Sequence, residues 1–363
     1  MDDPLARLEG LAAIDHEIAD LEARLRDAKL RRQQQHGTSI RYSDSSASRH
    51  QQQQQHFLFL LSDSALPLGS FAFSSGLESF LAHDKAAAAA SAATSLAAAA
   101  NAIPKGVKSG PEAFAAFLPL SVSSYAYATL PFVLAAHDAA STVTSAAAVA
   151  AAAASSHFSE TFPSTVEAFT SALTLLDDTY DATIICAVGR RASVAQGRAL
   201  LSVWERAFSP TLSPSLAPPS PSSPSSQASQ AAQSEQAIDP LRPFALLVKR
   251  SSNPRPGTLS EASAHMPPLF GAVAALAGLD RRQAADVFIL SHVKALLSAA
   301  VRANLVGPYQ AQRLLASAHV QQLVVRSVEG AWDVPVEEAG QTMPVVDLWM
   351  GRHEMLYSRI FNS

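Results

Sequence analysis

The chain has 363 residues, of which 48% are apolar and only 16% charged, with a formal net charge of −4. That composition can fill a buried core and excludes the basic surface expected of a nucleic-acid binder. The single cysteine, Cys186, excludes an internal disulfide and any cysteine-based zinc site, and reads as a small buried hydrophobe. The N-terminus lacks the charged-then-apolar secretory pattern, and no run approaches the roughly 18 consecutive apolar residues of a membrane span. A soluble intracellular protein is expected.

From Leu5 to Leu30, the residues Leu8, Leu11, Ile14, Ile18, Leu21 and Leu25 recur at spacings of three and four, with charges between them. This narrow stripe predicts an amphipathic, coiled-coil-like helix over 1–32, either paired or standing as a solvated appendage. Residues 33–56 are polar and Gln-rich and are expected to form a disordered linker. Next comes SDSALPLGSFAFSSGLE, residues 62–78. Here Pro67 and Gly69 turn the chain, and Ser75 with Glu78 fits a capping box opening the next helix.

Low-complexity insertions are expected at about 84–114, rich in Ala, and at 209–240, rich in Pro, Ser and Gln. Another Ala-rich stretch, 139–156, has no strong apolar face. Asp177–Phe208 reads as helix, with Ala192, Ala195 and Ala199 small enough for close helix approach. Arg190, Arg191 and Arg198 flank that stripe as either a solvated basic face or an interaction surface. Phe244–Lys249 is the one short strand candidate. Ala285–Leu305, apolar on most faces, predicts the central buried helix, and Gln310–Val325 predicts another.

At the C-terminus Leu356 and Ile360 form one i, i+4 pair and Tyr357 and Phe361 another, with Arg352 and Arg359 nearby. That composition suits a binding anchor or a last helix packed on its own core. The fold class is all-α. A single helical-bundle domain over 57–363 carries the insertions, preceded by the linker and the N-terminal helix.

Enzyme signatures fail one by one. No P-loop is present, and no G-x-S-x-G elbow. His353-Glu354 begins like a zinc-protease motif, but Tyr357 stands where the second histidine belongs. His292 lies on the apolar central helix and reads as a satisfied core histidine rather than a ligand. Asp63 with Ser62 or Ser64 would need a nearby histidine to become a hydrolase site.

Four stretches occur in a meaningful order: SDSALPLGSFAFSSGLE, GRRASVAQGRALL, MPPLFGAVAALAGLDRRQAADVFILSHVKALLSAAVR followed by QRLLA, and RHEMLYSRIFNS. Together they resemble the UreF family of urease accessory proteins, over roughly 57–83, 115–208 and 241–363. The resemblance implies a cytoplasmic, non-enzymatic, all-helical homodimer. It also implies binding to the scaffold UreD (also called UreH) and recruitment of the GTPase UreG, which carries nickel to apo-urease. The UreF component would modulate the GTPase step and hold no cofactor stably, nickel and GTP being handled by the partner complex.

Carried onto this chain, the resemblance assigns the scaffold contact to Arg352, His353, Glu354, Leu356, Tyr357, Arg359 and Phe361. It assigns a dimer or GTPase face to Glu78, Arg190, Arg191, Gln196 and Arg198. The chain departs from the family pattern at Gly69-Ser70, where Gly-Gly is frequent, and at Phe73, where His is common. The latter removes a candidate nickel-proximal histidine. Pro308 and Ala311 replace part of a more Gly-rich turn, and the helix over 4–32 is outside the pattern. The alternative is a general helical adaptor whose N-terminal coiled coil is the main interaction element.

Overall fold

A computed structural model describes residues 51–64, 66, 68–83, 110–153, 158–212, 239–252 and 260–362. The chain divides into two units, Met1–His56 and Phe57–Ser363. In the first, the described residues 51–56 are helical. The end of the expected polar linker is therefore helix: glutamine is a good helix former, and it needs no apolar partner to remain one. The helix expected over 1–32, and most of both insertions, lie outside the described residues.

In the second unit every regular element among the described residues is helical, as the sequence implied. Helix α1 covers 57–62, a 3₁₀ turn covers Ser70–Ala72, and α2 covers 77–83. The long α3 runs over Gly110–Ala153 and α4 over Phe158–Thr183. Helix α5, Ala187–Val203, continues through a π turn, Trp204–Phe208, into the short α6, Ser209–Leu212. There follow α7 (Arg242–Ser251), α8 (Met266–Leu276), α9 (Arg281–Arg302), α10 (Pro308–Leu315) and α11 (Ala318–Ala331). Last comes α12, Pro344–Arg352, closed by a 3₁₀ turn, His353–Met355.

The 44-residue α3 is the axis of the unit and packs against α4, α8, α9 and α11. It crosses α8 so closely that a Cβ on Gly271 would collide with the Val133 carbonyl. Pro131 inside α3 removes one backbone donor, and the Tyr127 carbonyl it strands accepts from Gly340 N at 3.3 Å instead. The Ala-rich stretch 139–156 begins inside α3, where Ala140 and Val143 are buried. By length and composition, α3 over Gly110–Ala148 and α9 could each cross a membrane, though 67% and 61% of their apolar windows are buried in this unit. They serve as core helices. Helix α9 buries Phe288, Ile289, Val293, Leu296 and Leu297, so it shares the central role with α3.

Three expectations need correction. Phe244–Lys249 is part of α7, not a strand: Phe244, Ala245 and Val248 are buried at helical spacing. Gln310–Val325 is two helices, separated where Ser317 caps α11, its Oγ accepting from Val320 N at 3.3 Å. Asp177–Phe208 is interrupted between α4 and α5, and Cys186 is the N-cap of α5, its Sγ accepting from Gly189 N at 3.5 Å.

Candidate functional site

The turn within SDSALPLGSFAFSSGLE forms as expected, with Gly69 at φ 71 opening the 3₁₀ turn. The helix after it is not capped by Ser75, which itself has φ 50. Ser74, fully buried, takes that role: its carbonyl accepts from Leu77 N at 3.1 Å, and its Oγ accepts from Glu78 N at 3.5 Å. Glu78 is thereby released from helix capping. Its carboxylate reaches the far end of the chain, accepting from His353 Nε2 at 3.0 Å, Ile360 N at 2.7 Å and Phe361 N at 3.3 Å.

The C-terminal segment is therefore a pinned strap rather than a helix. Residues 356–362 carry no helical turn, so the two i, i+4 pairs expected there do not form. Phe361 is buried, with the Arg302 guanidinium 4.4 Å over its ring, and Asn362 N donates to the Ala72 carbonyl at 2.8 Å. Arg302 also donates to the Phe71 carbonyl, and Lys294 Nζ donates to the Ser62 carbonyl at 2.5 Å, so α9 holds both ends of the turn. His353 is buried; burial lowers its pKa, with the Glu78 carboxylate opposing that shift.

Outward, the strap presents Met355, Tyr357 and Ile360 at 78%, 107% and 62% exposure. Glu354 pairs with Arg191, and that hydrogen bond lowers its pKa. Arg352 Nη1 lies 3.2 Å from His83 Nε2, Arg359 is exposed and Leu356 is partly buried. The two sets of residues selected from sequence thus meet in space: Glu78 grips the strap from beneath, and Arg191 grips it at the edge. Arg190 turns to Asp181, and Arg198 Nε donates to the Ser263 carbonyl at 3.2 Å. Gln196 bonds its own helix at the Ala192 carbonyl, at 3.3 Å.

Of the small residues expected to admit a helix, Ala192 is buried but Ala195 is exposed and Ala199 half-buried. Close approach falls on Gly197, where a Cβ would collide with the Ala264 carbonyl. Beneath lies a polar network that sequence reading missed. The Asp177 carboxylate accepts from three successive backbone N–H groups, Ser263, Ala264 and His265, at 2.7, 3.1 and 2.6 Å. It satisfies a loop in which Ala264 has φ 64. His265, wholly buried, has Nδ1 3.2 Å from Ser193 Oγ and Nε2 2.7 Å from Asp181 Oδ1. The i, i+4 pair of acids at Asp177 and Asp181 was the available signal, because it puts two carboxylates on one helical face.

These residue types match a hydrolase triad, yet Ser193 is buried and its Oγ accepts from Met266 N at 3.2 Å, which marks it as structural. Ser62 Oγ donates to the Phe59 carbonyl at 3.0 Å, a helix-end bond. His292 lies 3.2 Å from Ser121 Oγ and stacks on Tyr125 at 3.9 Å; burial lowers its pKa to about 3, so it is neutral in the core. Among the described residues no group of three or more His, Cys, Asp or Glu side chains is arranged to hold a metal. Under α12 a cavity of about 130 Å³ meets Tyr180, Ser124 and Asp347. Asp347 Oδ2 is buried without a hydrogen-bond partner among the described residues, and burial raises its pKa to about 6.

The site is thus a pinned strap with an outward aromatic–arginine face on an all-helical unit, the class of fold these residues define. Comparison with known proteins makes the class specific. The chain matches the UreF family over residues 108–319 and belongs to it. It is 27% identical over 312 residues to an uncharacterized urease accessory protein UreF-like of Schizosaccharomyces pombe, covering 86% of this chain and 98% of that protein. It is 27% identical over 339 residues to urease accessory protein 6 of Cryptococcus neoformans, covering 85% and 96%. A segment of 100 residues is 35% identical to urease accessory protein F of Arabidopsis thaliana, covering 27% and 40%. The family is one of urease accessory proteins, not of enzymes.

Proposed function

We propose that this protein is a cytoplasmic assembly factor for nickel incorporation into apo-urease. It acts as a homodimer joining the UreD/UreH scaffold to the UreG GTPase and modulating the GTPase step. Nickel is cargo and GTP belongs to the GTPase, so this chain contributes surface rather than a cofactor site. The observation that supports the reading most is the outward Tyr357, 107% exposed, on a strap whose neighbours His353 and Phe361 are buried. An aromatic side chain held in water by a fixed backbone is a ready anchor for a partner pocket.

The scaffold contact is assigned to the strap, from Arg352 through Leu356 and Tyr357 to Arg359, with Phe361 as its internal pin. Glu78 supports it, and the arginine edge of α5 faces the dimer partner or the GTPase. Complementation of a urease-negative host lacking its own family member tests the role, with scaffold co-purification as the second readout. Wild type should restore urease activity. Tyr357→Ala should lose at least about tenfold in scaffold affinity, the usual loss for an interface anchor, while leaving the fold unchanged. Failure to complement, or undiminished scaffold capture by the variant, refutes the corresponding half of the proposal.

A further inference from the structure

The two halves of α12 are held by unlike means. In the C-terminal half, Trp349 packs edge-on against Phe80 with ring centroids 4.7 Å apart. Met350 Sδ sits 2.8 Å from where a Cβ on Gly189 would be, so the glycine makes room for it. The 3₁₀ turn that follows is fastened by His353 to Glu78 at 3.0 Å. The N-terminal half has no side-chain cap at Met343, and its Val345 and Leu348 are 40% and 64% exposed. Inward it offers Val346, which is buried, and Asp347, whose Oδ2 is buried with no hydrogen-bond partner among the described residues.

Asp347 meets the cavity of about 130 Å³, and no lysine or arginine lines it among the described residues. The titratable groups around that cavity are Tyr125 of α3, Tyr180 of α4, Cys186 at the start of α5 and His292 of α9. Burial raises the pKa of both tyrosines and lowers that of His292 to about 3, so none of the four carries a positive charge. The Tyr180 hydroxyl is already hydrogen-bonded to Ser193. Cations near the helix are engaged elsewhere, Arg352 beside His83 and Arg191 on Glu354. A carboxylate here lacks both a counter-ion and full solvation, whereas a neutral carboxyl needs neither.

We infer that α12 is a proton-controlled latch: neutral Asp347 lets the N-terminal half close over the cavity, and ionised Asp347 draws that half back to water while Trp349 and His353 keep the other half in place. The latch stands whether or not the assembly role holds. Its sign follows from burial, which raises the Asp347 carboxyl from 3.8 to about 6 in the closed state. Closure is favoured most below about pH 4, and that contribution is lost as pH rises through about 6. His353 acts in the opposite sense. Burial lowers its pKa from 6.5, so its contribution is present above that value and lost as pH falls. The direction of the pH dependence therefore separates the two groups.

The single cysteine, Cys186, is buried and lines the same cavity, so its alkylation reports opening. The full chain is labelled at pH 5 and pH 7, each rate being divided by that of the urea-unfolded chain at the same pH to remove thiol ionisation. Amide-exchange protection, corrected for intrinsic rates, is the second readout. From pH 5 to pH 7 the normalised labelling should rise about fivefold and protection over 345–348 should fall in parallel. Protection over 349–353 should change by less than about twofold. In Asp347→Asn both readouts at pH 7 should stay at their pH 5 level. The latch is overturned if the wild type changes by less than about twofold, if it opens toward low pH, or if Asp347→Asn keeps the wild-type dependence. Should Asp347→Asn lose its cooperative thermal transition, the wild type decides alone, and equal loss of protection in both halves of α12 also overturns the latch.

Discussion

The Glu78 carboxylate, 12% exposed, accepts from a buried histidine and from two backbone N–H groups of the strap. Removing it strands Ile360 N and Phe361 N, so Glu78→Ala should cost about 1–3 kcal/mol. It should also raise amide exchange across 356–362 while α3 and α9 stay protected. Unchanged exchange in the strap would show that Phe361 alone holds it. Gly197 makes a second single-atom argument, since the Ala264 carbonyl occupies the space of its Cβ. Gly197→Ala should destabilise by about 1–3 kcal/mol in urea unfolding, despite alanine's better helix propensity. A neutral or stabilising result would mean that α5 slides freely over the loop. Neither role was legible in sequence. Ser75-x-x-Glu78 fits the capping pattern, and only the approach of His353 and the strap shows that the carboxylate points elsewhere. A helix start in this stretch was expected, but with Ser75 in place of Ser74 as the capping side chain and with the wrong use of Glu78.

At the scale of elements, α12 sits over the cavity that receives Asp347. Burial raises that carboxyl from an ordinary 3.8 to about 6, so the folded chain holds the proton more tightly than the unfolded chain. The contribution is fully present below about pH 4 and is lost as pH rises through about 6. Asp347→Asn should therefore be more stable than wild type at pH 7, by about 1 kcal/mol once solvent screening of this partly exposed group is allowed for. The difference should vanish at pH 4, and melting curves at the two pH values check it. A constant offset would place the effect in packing rather than charge. The break between α10 and α11 is equally specific: Ser317→Ala should cost about 1 kcal/mol through the lost cap. Periodicity revealed that both helices exist but not where they part, because apolar spacing continues across Ala316 and Ser317. The expected strand at Phe244–Lys249 failed for a related reason. A short apolar run has no period of its own, and packing against the core decides it.

On the scale of the whole molecule, the chain joins distant segments: Glu78 to residue 361, Asp177 to residue 265, and Arg302 to Phe71. A chain ending before Leu356 should keep its helical circular dichroism, because α3, α8 and α9 carry the core independently of the strap. It should nevertheless fail to restore urease in the complementation assay. Loss of helical signal would mean that burial of Phe361 is needed for folding. Sequence alone was enough for the helical class, the buried character of α9, the failure of the enzyme motifs and the order of signatures that identifies the family. These follow from local periodicity and residue type, which need no knowledge of neighbours. That the last residues form a strap, that Gly197 marks the close approach and that Asp181 stands between His265 and Arg190 emerge only from the packed fold. Those depend on which segments meet in space, up to 283 residues apart in the chain, and no local pattern records such a meeting.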